Sequence, residues 1–183
     1  MIEREKMLNG LMYNSADESL LNDRTVCKNL CFEYNRTPFT QREKMNEIMR
    51  KILKKTGKNF CIEPSFYCDY GYNIEIGENF YANHNTVILD CAKVKFGDNV
   101  FIGPNCGFYT AAHPLDAETR NTGQEYAKPI TVGNNVWIGG NVCVMPGVTI
   151  GDNCVIGGGS VVTKDIPSDV VAVGNPCRVL KKI

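Results

Sequence analysis

Branched aliphatics recur every six residues from position 132 to 162: Val132, Ile138, Val144, Ile150, Ile156 and Val162. Three residues after each of the first five stands Asn or Gly, namely Asn135, Asn141, Gly147, Asn153 and Gly159. The same register appears upstream as Ile76/Asn79, Ala82/Asn85, Phe96/Asn99 and Ile102/Asn105. Six matches neither the roughly 3.6-residue period of a helix face nor the two-residue alternation of a strand. It fits a chain that runs straight, turns and repeats. The turn needs a residue that tolerates positive φ, and Asn and Gly are the cheapest choices. Gly also follows the aliphatic at Gly77, Gly97, Gly103, Gly133, Gly139, Gly151 and Gly157, where a small residue lets backbones approach closely. Three six-residue edges close one triangular coil, and stacked coils bury a core that no single coil could bury.

The register identifies what interrupts it. Two extra residues between Ile88 and Phe96 read as a bulge. The 24 positions from Phe108 to Val132 exceed the 18 of a whole coil, so about Tyr109–Pro129 must leave the solenoid as a loop. Long loops on rigid scaffolds are favoured places for function. Residues 1–57 lack the hexad and read as a helical cap. Capping boxes at Ser15–Glu18 and Thr40–Glu43 open two helices, and Gly57 ends the second. Met45, Ile48, Met49, Ile52 and Leu53 mark one apolar face. The expected division is a cap over 1–57, coils over 58–166 carrying the loop 109–129, and a tail over 167–183.

The charges balance, with 20 Lys+Arg against 20 Asp+Glu, which argues against nucleic acid or an anionic membrane as partner. No apolar run approaches a membrane span, and the charged N-terminal stretch has no secretory core, so a cytoplasmic location is expected. Nine cysteines without a CxxC pair read as small buried hydrophobes in a reducing compartment, with no metal site expected. Cys106 and Cys154 fall on inward positions.

Only two histidines are present, His84 and His113. His84 occupies an outward hexad position and reads as a surface or rim residue. His113 begins the ejected loop and is the loop side chain best suited to proton transfer near neutral pH.

The segments EPSFYCDYGYNI, NFYAN, TAAHP, NNVWIGGN, PGVTIGDN, VTKDIP and GNPCRV, with KMLNGLMYNSADESL near the start, resemble the maltose, galactoside and nodulation-type O-acetyltransferases of the hexapeptide-repeat family. The resemblance spans nearly the whole chain and is nearest to the maltose type. It implies a mainly β fold, a left-handed parallel β-helix with N-terminal α-helices. Chain physics alone would favour right-handed crossovers, so the left hand rests on the resemblance. It also implies acetyl transfer from acetyl-CoA to a sugar hydroxyl, with no metal required, in a homotrimer whose active sites lie between chains.

A sugar hydroxyl is a weak nucleophile and needs a base as it attacks the thioester, a role the resemblance gives to His113. Direct transfer suffices once both substrates are held in line, so no cysteine is assigned as nucleophile. By the resemblance the Gly140 N–H faces the oxyanion, although Gly140 is also simply a hexad position. Asn83 and Asp69 are expected on the acceptor. Asn83 lies off the turn register, which falls on Asn79 and Asn85, whereas Asp69 is equally a plain turn residue. Where relatives carry an N-terminal acceptor-binding Asp, this chain has Ser15, with Asp17 two residues on, and helix capping explains both. Cys91, preceded by Asp90, stands where some relatives carry another acceptor-binding Asp. Trp137 should point outward and line the pantetheine channel. Gly158 lets the cofactor pass closely, and Thr163, Lys164, Arg178 and Lys181 suit its phosphates, although Lys181 reads equally as a solvated surface cation. Three other readings remain open at this level. They are an acetyltransferase for a non-sugar acceptor such as an antibiotic or amino acid, a zinc carbonic anhydrase on the same fold, and a non-catalytic trimeric binding module. Two histidines are too few for the zinc ligands of the second, and the third leaves His113 and Trp137 unexplained.

Overall fold

A computed structural model describes residues 1–183. The hexads fold into a three-faced parallel solenoid. One face stacks Phe60–Ile62, Phe80–Ala82, Phe101–Ile102, Trp137–Ile138, Val155–Ile156 and Val170–Val173, all in parallel. The second stacks Phe66–Cys68, Thr86–Leu89, Gly107–Tyr109, Cys143–Val144 and Val161–Val162. The third stacks Ile74–Glu75, Val94–Phe96, Ile130–Val132 and Thr149–Ile150.

The six aliphatics from Val132 to Val162 are fully buried, and Cys106 and Cys154 lie inside with them. Phe80, Phe96 and Phe108 fill the early coils, with centroid separations of 5.2 and 5.0 Å. Every anticipated turn residue has positive φ, from 54° at Asn79 to 85° at Gly147. The asparagines do more than tolerate that geometry. Asn79, Asn99, Asn135 and Asn153 donate side chain to side chain down one corner at 2.9–3.1 Å, ending on Asp169. Each amide is satisfied by its neighbour one coil away, which glycine could not provide.

Helix α1 covers Glu3–Leu8, α2 Glu18–Arg36 and α3 Arg42–Ile52. Cys27, Cys31, Tyr34, Met45, Ile48, Met49 and Ile52 from α2 and α3 join the same continuous core as the coils. The helices thereby cover the end of the solenoid, where an open sheet edge would otherwise face solvent.

The helix boundaries differ from the sequence expectation. The N-cap of α2 is Asp17, whose carboxylate accepts from the Ser19 N–H at 3.0 Å, and Ser15 lies outside the helix. The N-cap of α3 is Gln41, without a side-chain cap. Gly57 does not end that helix, which stops at Ile52. Gly57 instead begins the glycine column of the solenoid: a Cβ there would lie 2.5 Å from the Gly77 carbonyl oxygen. The ejected segment is also more regular than a loop. Ala111–Ala112 and Gln124–Ala127 form an antiparallel hairpin around α4 (Ala117–Asn121), and Tyr13–Asn14 adds a third strand. The tail likewise contains Arg178–Lys182, antiparallel to Val170–Val173.

Candidate active site

The ejected hairpin roofs a cavity of about 530 Å³ whose polar lining is Ser15, Arg24, Asp69, His113 and Glu125. Leu89, Tyr109 and Met145 supply apolar wall from three successive coils. A smaller apolar cluster built from Met7, Tyr13, Leu20, Tyr70, Cys91, Ala92 and Ala127 joins α1, α2, the coils and the hairpin beside it. α1, α2 and the hairpin are thus packed around one concavity.

His113 follows the strand Ala111–Ala112 and is exposed. Its Nε2 lies 4.0 Å from Glu125 Oε1 on the facing hairpin strand. The other Glu125 oxygen accepts from the buried Tyr13 hydroxyl at 2.8 Å. Burial and the surrounding acids hold Tyr13 well above the ordinary phenol range, so it acts here only as a donor. Glu125 and Tyr13 were not anticipated. Their relation to His113 depends on a two-residue strand pairing across more than a hundred residues, which carries no sequence period.

Asp69 is half-buried at the cavity floor. Burial raises its pKa, partly opposed by the Arg24 guanidinium. Arg24 is itself fixed, donating to the Tyr70 hydroxyl and the Ser15 carbonyl at 2.6 Å each. The fully buried Asp90 carboxylate does not reach the cavity. It accepts from the backbone N–H groups of Asp69 and Tyr70 at 3.0 and 2.9 Å, and so shapes the turn that presents Asp69. Its pKa is raised to about 7, burial outweighing the N–H donors. Cys91, buried beside it, places its Sγ 3.7 Å from Asp69 Oδ2, and burial pushes that thiol up to about 12.

The remaining anticipated residues fall elsewhere. Asn83 has negative φ, as expected for a residue outside the turn register, and its Oδ1 accepts from the His84 N–H at 2.7 Å. It sits on the corner between the first and second faces, where the backbone bonds Asn83 N–H to Ile102, Gly103 to Ile138 and Gly139 to Ile156. Gly140 and Gly158 lie on that corner too, each next in sequence to a glycine of this column. A Cβ on Gly140 would meet Pro104 at 3.3 Å, and one on Gly158 the Gly140 carbonyl at 3.1 Å, so only glycine leaves this strip smooth. Trp137 is 59% exposed on the first face, paired in register with Phe101 and Val155. His113 leaves from the corner between the second and third faces, as do the exposed Thr163 and Lys164 after Val161–Val162. Arg178 and Lys181, also exposed, lie on the last strand beside the Trp137 face. Within one chain, therefore, Ser15, Asp69 and His113 come together, whereas Asn83, Gly140 and Gly158 lie along another corner, next to the face that carries Trp137. Asp17 is occupied as the α2 cap and His84 is exposed.

A hexad solenoid with a histidine-bearing hairpin over a polar cavity has the architecture of an acyltransferase of the hexapeptide-repeat class, and the comparisons with known proteins agree. Residues 6–57 match the maltose acetyltransferase hexapeptide capping motif, and residues 129–164 match the bacterial transferase hexapeptide of six repeats. The chain is 46% identical over 179 residues to the galactoside O-acetyltransferase of Escherichia coli, covering 98% of this chain and 88% of that protein. Its fold superposes on a maltose O-acetyltransferase from Clostridium difficile 630 with a TM-score of 0.99 at 54% identity, covering 100% of this chain and 98% of the other. A galactoside acetyltransferase in complex with coenzyme A superposes with a TM-score of 0.97 at 46% identity, covering 100% and 92%. The chain belongs to the maltose and galactoside O-acetyltransferase family, left-handed parallel β-helix acyltransferases with an N-terminal helical cap.

Proposed function

We propose that the protein transfers acetyl from acetyl-CoA to a hydroxyl of a sugar such as maltose, glucose or a galactoside. The observation that carries this reading is the cavity itself: His113 stands at its rim with Asp69, Arg24 and Ser15 converging from other elements. A carboxylate, a guanidinium and hydroxyls suit a polyhydroxylated acceptor, and the apolar wall suits a sugar's C–H face.

The His113 imidazole takes the proton of the attacking hydroxyl as the oxygen bonds to the thioester carbonyl carbon. The Glu125 carboxylate offsets the positive charge that then forms on the ring. The tetrahedral intermediate collapses with loss of the coenzyme A thiolate, which recovers the proton from His113. Asn83 orients the acceptor hydroxyl, and the Gly140 N–H donates to the oxyanion.

These groups lie on two corners of one prism, so the complete site forms between neighbouring chains. The corner of Asn83, Gly140 and Gly158 from one copy, with Trp137 on the adjoining face, faces the His113 cavity of the next. A closed homotrimer satisfies every such edge. Coenzyme A then runs along the groove past Trp137 and the glycine strip, with Thr163, Lys164, Arg178 and Lys181 at its phosphates. Ser15 is the N-terminal acceptor contact, and Asp17 remains the helix cap. Location in the cytoplasm follows from this use of acetyl-CoA; no helix is long and apolar enough to cross a membrane.

The test is coenzyme A release from acetyl-CoA with maltose, glucose, galactosides and amino-sugars, for the wild type and His113→Ala. The variant should lose about 10²–10⁴-fold in kcat. Transfer by His113→Ala at near wild-type rate would sink the mechanism, and absence of coenzyme A release with every sugar of the panel would sink the sugar assignment.

A further inference from the structure

Away from the cavity, three buried sulfurs meet. Cys27 and Cys31 lie four residues apart on α2, and so on one helix face. Cys68 ends the strand Phe66–Cys68 of the first coil. The Cys68 Sγ lies 3.4 Å from that of Cys27 and 3.9 Å from that of Cys31, and all three sulfurs lie within 4.8 Å of one another. None forms a disulfide. Cys106 and Cys154 are buried singly and point their thiols at carbonyls, those of Gly139 and Pro167, at 3.1 Å each. Such placement is ordinary core packing of a small thiol. The triad differs in that its sulfurs have chiefly one another as partners.

We infer that Cys27, Cys31 and Cys68 form a binding site for a soft monovalent cation, Cu(I), held by three thiolates. Three sulfurs at about 2.3 Å from a central ion in a trigonal plane stand about 4.0 Å apart, close to the spacing already present. No His, Asp or Glu joins the group of mutually close ligand atoms. An all-sulfur, three-donor set favours Cu(I) over Zn(II), which completes a tetrahedron. A separate cavity of about 550 Å³ reaches Cys31 and Cys68 from the surface, which gives the ion a route in. Lys28 and Arg36 line it and offset the negative charge that a thiolate-bound ion retains. Each thiol that ligates releases its proton to solvent, and no electron is transferred. Bound there, the ion would pin the helical cap to the first coil.

The test uses the full-length, reduced protein under anaerobic conditions, titrated with Cu(I) against a Cu(I)-selective chromogenic chelator. One equivalent per chain should be withheld from the chelator, with an X-ray absorption spectrum showing three sulfurs at about 2.3 Å. Cys31→Ser and Cys68→Ser should each weaken retention by at least about 100-fold, whereas Cys143→Ser, outside the triad, should not change it. The proposal is overturned if the wild type surrenders all its copper, if the spectrum shows two sulfurs or nitrogen and oxygen donors, or if an equimolar addition of Zn(II) displaces the bound copper. It is overturned equally if Cys143→Ser loses the equivalent. Should a triad variant fail to fold, the wild-type spectrum decides.

Discussion

The Tyr13 hydroxyl donates to Glu125 Oε2 at 2.8 Å, while Glu125 Oε1 stands 4.0 Å from His113 Nε2. One buried phenol, contributed by the short segment between α1 and α2, therefore fixes the carboxylate that faces the proposed base. The helical cap also lines the cavity, through Ser15 and Arg24, as well as covering the solenoid.

Replacing that carboxylate by an amide removes the charge and keeps the shape. Glu125→Gln should lower kcat about tenfold, through lost stabilisation of the imidazolium formed in transfer, and leave the KM for acetyl-CoA unchanged. Tyr13→Phe should show a smaller effect of the same kind, because the carboxylate keeps its charge and loses only its anchor. Steady-state kinetics with both substrates varied separates the two parameters. An unchanged kcat in Glu125→Gln would remove Glu125 from the reaction.

Asp90 gives a pH-dependent stability with a definite sign. Burial raises its folded pKa from 3.8 to about 7, so the folded chain holds this proton more tightly than the unfolded chain. The stabilisation from protonation is complete below the unfolded value and is lost as pH rises through the folded one. Between pH 5 and 8 the wild type should lose thermal stability relative to Asp90→Asn, which stays neutral and retains an acceptor for the Asp69 and Tyr70 N–H groups. The difference is on the order of a few kcal/mol at most. Melting midpoints across that range test it, and parallel curves for the two proteins would show that Asp90 is ionised throughout.

The glycine column predicts where the prism tolerates no side chain. A Cβ at Gly97 would stand 2.5 Å from Asn134 Oδ1 and 2.7 Å from the Gly133 carbonyl oxygen. Gly97→Ala should cost about 1–3 kcal/mol, as overpacking does where backbone cannot move aside. Each kcal/mol should lower the apparent melting midpoint by about 2–4 °C in a chain of this size. Gly123→Ala is the contrast, since a Cβ there meets nothing within 4 Å and only the positive φ opposes it. Equal losses for the two would show that close packing is not the cause.

The solenoid was legible in the sequence because its rule is local. A buried aliphatic and a positive-φ Asn or Gly recur at fixed spacing, so Asn79 through Gly159 could be placed residue by residue. The same register exposed Asn83 as a non-turn residue and the hairpin around His113 as an insertion. What stayed hidden was non-local. The Tyr13–Glu125 pair, the Arg24 contact to Tyr70 and the buried Asp90 beneath Asp69 each join segments with no common period. Gly57 was misplaced for a related reason: a glycine after an apolar helical run satisfies the helix-stop rule as well as the coil rule, and only the Gly77 carbonyl above it decides between them. The α2 cap slipped by two residues because Ser15 and Asp17 are both good capping chemistry.

The division of the anticipated residues between two corners yields the sharpest test. If His113 of one chain works with Asn83 of its neighbour, His113→Ala and Asn83→Ala each abolish all sites of a pure trimer. In a mixed trimer, one interface places an intact His113 against an intact Asn83. Equal amounts of the two variants, dissociated and reassembled at random, give mixed trimers about three times in four, each with one working site of three. The mixture should therefore recover about a quarter of wild-type activity, although neither variant alone is active. A site completed within one chain predicts no recovery at any mixing ratio. Coenzyme A release before and after reassembly, with the subunit exchange followed by mass, distinguishes the two arrangements.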